Sequence, residues 1–198
     1  MGNRTVKLLL YCTKAKPYLL GSFGRESIEE YKDYWTFFTS DTLKCCYDKI
    51  INGKIVAEAD CELVEEICCD MLDNGIGTDI YYYIDNDTDI EELACLDIND
   101  LATYLPQKRG GEKVGYAIYL KNVMPFEEPK ELSYYGIKKA PQNMCYLYDE
   151  NGNIIAVVIS IQSPYMCDIM NDKKIIEVRT SILNIFKELI ENESKRLF

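Results

Sequence analysis

No stretch limits the fold of this 198-residue chain more than the one between Asp149 and Arg179. Asp149-Glu150-Asn151-Gly152-Asn153 has the composition of a tight hairpin, and it feeds the strongly apolar run Ile154 to Ile161. Gln162-Ser163-Pro164 then predicts a turn into a short helix that carries Tyr165, Ile169 and Met170 inward. The chain returns as a second strand, Ile175-Ile176-Glu177-Val178-Arg179, in which charged residues alternate with Ile and Val. Period two places Glu177 and Arg179 on one strand face, with Lys174 where the strand begins. An ammonium, a carboxylate and a guanidinium brought together in this way pair with one another or line a polar cleft.

The composition fits a folded domain around that unit. Apolar residues make up 47% of the chain and charged residues 28%, the balance of an ordinary globular protein rather than a disordered one. At this length one domain with extensions, or two small ones, is expected. No apolar run approaches the roughly 18 residues of a membrane span. Val6 to Tyr11 is too short for a signal-peptide core, and Val6 breaks the myristoylation pattern that Gly2 would begin. The expected location is cytoplasmic, with no membrane partner.

Cysteine and histidine usage restricts the chemistry. The nine cysteines include two adjacent pairs, Cys45-Cys46 and Cys68-Cys69, but no C-x-x-C, and the chain has no histidine. Neither zinc-finger spacing nor a disulfide framework is expected, so the thiols read as reduced small hydrophobes. Without histidine, Ser-His and Cys-His nucleophilic machinery is excluded, and any general base is a carboxylate, lysine, tyrosine or thiolate. No cofactor or metal is expected. Asp85-x-Asp87-x-Asp89 has acidic spacing but lacks the later glycine and terminal glutamate of a calcium loop.

Net charge is -11, which opposes loose binding of a polyanion. From Ile55 to Gln107 there are 15 acidic residues and no Lys or Arg, so the rest of the chain is modestly basic. That acidic stretch reads as a solvated flank or as a surface offered to a protein partner.

Along the rest of the chain, Val6 to Cys12 is a continuous apolar run of strand length that ends before Pro17. Glu26 to Phe38 is aromatic without clean periodicity and reads as a short helix or irregular insertion. Asn52-Gly53 signals a turn into a half-buried strand from Lys54 to Val64, with Glu58, Asp60 and Glu62 in a carboxylate row. Residues 70 to 92 read as a loop or hairpin excursion. Asp97 is a helix N-cap for Ile98 to Leu105, which stops at Pro106. Strands are predicted at Gly115 to Leu120 and Met144 to Tyr148, with an extended segment from Val123 to Leu132 that a proline stops. Ser181 caps a C-terminal helix whose stripe is Ile182, Ile185-Phe186 and Leu189-Ile190, and Lys195 and Arg196 suit its C-terminal dipole. The sum is five or six strands and about three helices, an α+β domain built as a small closed or half-closed barrel.

Several short blocks together resemble the ASCH domain, a PUA-like β-barrel family. Ser160-Ile161-x-x-Pro164, then Asn171-x-x-Lys174-x-x-Glu177-x-Arg179, is similar to the family's opening block, Gly-x-Lys-x-x-Glu-x-Arg, with Asp172 where the glycine usually stands. Tyr11-Cys12-Thr13-Lys14 and Asn52-Gly53-Lys54-Ile55-Val56-Ala57-Glu58 resemble later segments of phage-encoded members. So do Gly115-Tyr116-Ala117-Ile118 with Phe126, Pro129 to Leu132, and Pro141 to Tyr146. The family's first block stands last here. The resemblance therefore implies one permuted domain over 1–198, in which 154–180 supply the displaced strand-helix-strand block and 181–198 a C-terminal helix. A chain cut out of phase from a tandem array is the alternative for the order, and a domain-swapped homodimer the alternative for closure.

The resemblance implies a PUA-like small β-barrel with flanking helices that binds RNA or a modified nucleoside. Its implied ligand residues are Lys174, Glu177 and Arg179, joined by Ser160, Gln162, Lys14 and Glu58. Arg179 or Lys174 would meet a phosphate or a base edge, and Glu177 would accept from an exocyclic amine. Some small ASCH proteins are similar to amidohydrolases of acylated cytidine that use a lysine, a threonine and a glutamate. Lys174 matches that lysine, Glu177 occupies the threonine's place, and Ala94 falls nearest the glutamate, so hydrolysis would require Glu58 or Glu92 to substitute. A phage or prophage protein-interaction module is the third class.

Overall fold

The computed structural model describes residues 5–13, 53–84 and 88–194. The Glu26 to Phe38 segment, the Cys45-Cys46 pair, Lys14, Asp85, Asp87, Lys195 and Arg196 lie outside them. Within them are ten strands, four α-helices and one 3-10 helix. The protein is α+β and strand-rich, with more strands than the five or six expected. It comprises two compact units, one formed by Met1–Lys7, Ala59–Asn122 and Lys173–Phe198, the other by Leu8–Glu58 and Val123–Asp172.

The second unit is built on a five-stranded sheet ordered β7-β2-β1-β9-β8. Its members are β1 (Val6–Cys12), β2 (Lys54–Cys61), β7 (Lys121–Glu131), β8 (Met144–Tyr148) and β9 (Ile154–Ile161). The apolar run of β9 is buried from Ala156 to Ile161 because it lies inside the sheet, parallel to β1 and antiparallel to β8. The β8–β9 turn forms as its sequence predicts. Asp149 Oδ1 accepts from the backbone N–H of Asn151 and Asn153 at 2.9 and 2.8 Å, and Gly152 takes φ +81°. One core of this unit gathers Leu9, Tyr11, Ile55, Ala156 and Val158 beneath Phe126, Leu132 and Tyr135.

β7 runs through Pro125 and Pro129 to Glu131, where a proline stop is expected. It lies at the sheet edge, where a missing N–H need not break a ladder. A 3-10 helix, Leu132–Tyr135, follows and closes on Gly136 in the left-handed region at φ +72°. After β9 the predicted helix forms as α3 (Ser163–Met170). It buries Met166 and Ile169 completely, while Tyr165 and Met170 are only half-buried.

The first unit is built on the sheet β10-β6-β3-β4-β5. Here β3 is Val64–Asp73, β4 Thr78–Ile84, β5 Thr88–Asp89, β6 Glu112–Tyr119 and β10 Ile176–Arg179. The strand expected to continue to Val64 ends at Cys61, and β3 starts afresh at Val64 to form a hairpin with β4. One face packs Ile67, Cys69, Tyr82, Ile84, Ala117, Ile176 and Val178 against α1 (Ile90–Ala94) and α2 (Ile98–Tyr104). Asp97 caps α2 as predicted, accepting from Asn99 N and Asp100 N at 2.8 Å each. The C-terminal helix, α4 (Asn184–Ser194), starts three residues after the predicted cap Ser181 and buries Phe186 and Leu189.

Candidate functional site

Lys174, Glu177 and Arg179 come together in the first unit: alternation on β10 puts Glu177 and Arg179 on one face, and Lys174 reaches them from just before the strand. Arg179 Nη2 lies 2.9 Å from Glu177 Oε1, and Lys174 Nζ lies 3.4 Å from Glu177 Oε2. Lys174 also donates to the main-chain oxygen of Ala94 at 2.6 Å, at the carbonyl end of α1, where a cation is favourable. Lys174 and Glu177 are only 2% and 6% exposed. Ala94, nearest the hydrolases' glutamate in the resemblance, thus meets Lys174 through its carbonyl rather than through a side chain.

The turn before this cluster has a backbone reason for glycine. Asp172 takes φ +55°, a left-handed conformation that Gly adopts freely and Asp tolerates better than most residues. Its N–H donates to Ile169 O at 3.1 Å.

The other sequence-predicted residues are placed elsewhere. Ser160, Gln162 and Glu58 belong to the second unit. Ser160 is buried; its hydroxyl donates to Pro141 O at 2.6 Å, and its N–H to Asn143 O at 2.9 Å. Gln162 is exposed, and its carbonyl accepts from Met166 N at 3.0 Å as α3 begins. Glu58 is half-buried on β2 and raises the pKa of Tyr135 as the least of three influences, after burial and Tyr134. Of the implied set, Lys174, Glu177 and Arg179 form one cluster within the first unit.

Strand register adds three residues that the sequence did not single out. Tyr116 on β6 stands directly opposite both Arg179 on β10 and Glu66 on β3. Directly paired residues point to the same face, so Glu66, Tyr116 and Arg179 form a row across three strands. The next row is Val64, Ile118 and Glu177. The register between β3 and β6 shifts after Ile67, which pairs with Gly115, while Cys68 pairs with Lys113. Val114 is the extra residue of this bulge. Strict alternation would put Lys113 on the face away from Tyr116; the bulge returns it to the same face.

Lys113 Nζ consequently lies 2.7 Å from Glu66 Oε1 and 4.8 Å from the centre of the Tyr116 ring. Its pKa is held above the usual lysine value, first by the hydrogen bond to Glu66 and then by that to Tyr116. The result is a half-buried aromatic ring flanked by an ammonium and a guanidinium, each cation partnered by a carboxylate. Such an arrangement offers a stacking surface, a site for anionic oxygens and an acceptor for an amine.

Gly115 fixes the spacing of β6 and β10 from the opposite face, where Ile67 and Leu105 lie in the core. A Cβ there would come within 2.7 Å of Leu105 Cδ2 and 2.9 Å of the Arg179 carbonyl oxygen, so β6 and β10 approach each other only because residue 115 has no side chain.

The acidic stretch is not a uniform negative face. Its carboxylates take cations from other strands and loops: Asp60 with Lys7 at 2.8 Å, Glu62 with Lys121 at 3.2 Å, and Asp73 with Arg109 at 3.0 Å. Hydrogen bonds from Lys7 and then Asn122 hold the Asp60 carboxyl below its usual pKa. Burial pushes the Cys61 thiol up to about 12, which leaves it protonated and unreactive at neutral pH. Cys61, Cys68, Cys69 and Cys145 are free thiols. Among the described residues no helix is long and apolar enough to cross a membrane. The chain matches no family model, no curated protein and no solved structure.

Proposed function

We propose that this chain is an ASCH-type binding domain that recognises a nucleoside or modified nucleotide of RNA on the β6–β10 face. The observation that supports this reading is the bulge that sets Lys113 over Tyr116, with Arg179 and its partner Glu177 on the other side of the ring. A base stacks on Tyr116, Glu177 accepts from an exocyclic amine, and Lys113 or Arg179 meets phosphate. The charged groups already neutralise one another, so an incoming phosphate competes with Glu66 rather than entering an empty cationic site. Binding is accordingly modest and salt-dependent.

Calorimetric titration with nucleosides and their 5′-monophosphates tests the reading. Tyr116→Leu is expected to weaken every ligand by about 5- to 150-fold, the range for one lost base–aromatic stack. Lys113→Ala is expected to weaken the monophosphates and leave the nucleosides nearly unchanged. Equal affinity in Tyr116→Leu, or no binding to the parent protein, would sink the reading. On the permuted-domain reading β9 and β10 complete sheets of their own chain, and sedimentation should return a monomer mass. A dimer would favour the swapped form.

A further inference from the structure

A second surface, confined to the second unit, has the chemistry of a single-strand binding platform. From Leu132 to Tyr148 the chain carries no Asp or Glu, although the whole protein has a net charge of -11. This stretch holds Lys138 and Lys139, both exposed, and neither forms an ion pair with a described residue. It begins in the 3-10 helix, on which Tyr134 is 71% exposed.

Tyr134 is held in place. Its neighbour Tyr135 packs against the core of Leu9, Tyr11 and Ile55 and meets the Tyr134 ring edge-on, with centroids 5.0 Å apart and planes at 76°. Gly136 in the left-handed region closes the turn, its N–H donating to Ser133 O at 3.0 Å. Lys130 Nζ lies 5.5 Å from the ring centre. The carboxylates nearest in sequence, Glu128 and Glu131, stand on β7; Glu128 is 3.9 Å from Lys130 and bounds the patch on that side. Folding does not require a large aromatic ring fixed in water beside Lys130, just ahead of Lys138 and Lys139 on the chain's acid-free stretch.

We infer that Tyr134, with Lys130, Lys138 and Lys139, is a docking surface for single-stranded RNA. One base stacks on the open face of Tyr134, and the lysines meet the adjoining phosphates. Charge complementarity selects an anionic partner, and the exposed Tyr134 ring, on which a base can stack, selects a nucleic acid among them. The exposed hydroxyls of Ser133 and Tyr134 provide hydrogen-bonding groups for a ribose 2′-OH, which favours RNA over DNA. This surface involves none of the residues of the β6–β10 face, so the two readings fail separately.

Fluorescence anisotropy with a labelled 12-nucleotide single-stranded RNA at 50 and 200 mM salt tests it. Tyr134→Ala is expected to raise Kd about 5- to 150-fold, and the double variant Lys138→Glu/Lys139→Glu to weaken binding and reduce its salt slope. All three side chains are exposed, so unchanged thermal midpoints will show that the variants are folded. Tyr116→Leu is expected to retain oligonucleotide binding even where nucleoside binding is lost. Failure of the parent to bind, equal affinity in Tyr134→Ala, or equal binding of the matching DNA would overturn the inference.

Discussion

The Lys174–Glu177–Arg179 cluster and the Glu66–Lys113 pair belong to one sheet, with β6 between the strands that carry Glu66 and Arg179, yet their surroundings differ. In the cluster the side chains are 2%, 8% and 11% exposed; in the pair they are 45% and 43% exposed. Three charges have been taken out of water in the first case and almost none in the second. Desolvating ions costs several kcal/mol each, and an apolar replacement of similar volume is often as stable or more so. The buried cluster is thus a poor way to gain stability but strongly destabilising to break. The exposed pair is nearly neutral for folding, and its consequence is positional: it holds the lysine that the bulge has brought over Tyr116.

Removing one member of the buried cluster gives the largest expected effect. Glu177→Ala leaves a buried ammonium and guanidinium without their shared carboxylate, and a loss of about 3–5 kcal/mol is expected. Urea denaturation measures it; a loss below about 1 kcal/mol would mean that the cluster is far more hydrated than its burial indicates. Gly115→Ala comes next. The added methyl meets backbone at Arg179 as well as Leu105, and about 1–3 kcal/mol should be lost.

For the exposed pairs the expected effects are smaller. Glu66→Gln and Lys121→Ala should each cost about 0.2–1 kcal/mol, and less in high salt. A cost as large as that of Glu177→Ala would erase the distinction between the two sets of charges.

Acid titration gives the finest comparison. The folded pKa of Asp60 is depressed below its ordinary 3.8, so its stabilising contribution is present above that value and is lost as pH falls through the folded pKa. The stability of Asp60→Asn should therefore lie below that of the parent at neutral pH and converge with it under acid. A gap that persists to the acid end would show that Asp60 acts through packing instead.

What the sequence revealed depended on whether the information was local. The apolar runs of β1 and β9, the Asp97 cap and the Asp149 hairpin are each contained within a few residues, and each forms where expected. The β3 strand was hidden because Glu65, Glu66 and Asp70 interrupt its apolar pattern. The partner of Glu66 comes from a distant part of the chain: Lys113 is 47 residues away. The extended segment read from Val123 to Leu132 forms as β7, Lys121–Glu131, and its prolines are tolerated within the strand because it lies at the sheet edge.

Within the site, Glu177 and Arg179 could be grouped from period two, and Lys174 only as the cation at the strand's entry. Their meeting with Ala94, 80 residues from Lys174, could not. Tyr116 was visible only as a member of a convincing strand. Its place between Glu66 and Arg179 depends on inter-strand register, which periodicity does not encode.

The most direct test of the account separates recognition from stability in the buried cluster. The triple variant Lys174→Met/Glu177→Leu/Arg179→Met replaces the charges with apolar groups of similar size, and its thermal midpoint should equal or exceed that of the parent. A nucleoside at about 100 times its Kd should raise the parent's midpoint by about 5–10 °C and leave that of the folded triple variant unmoved. A folded triple variant that shifts as much as the parent would show that these charges do not read the ligand, and would contradict the account.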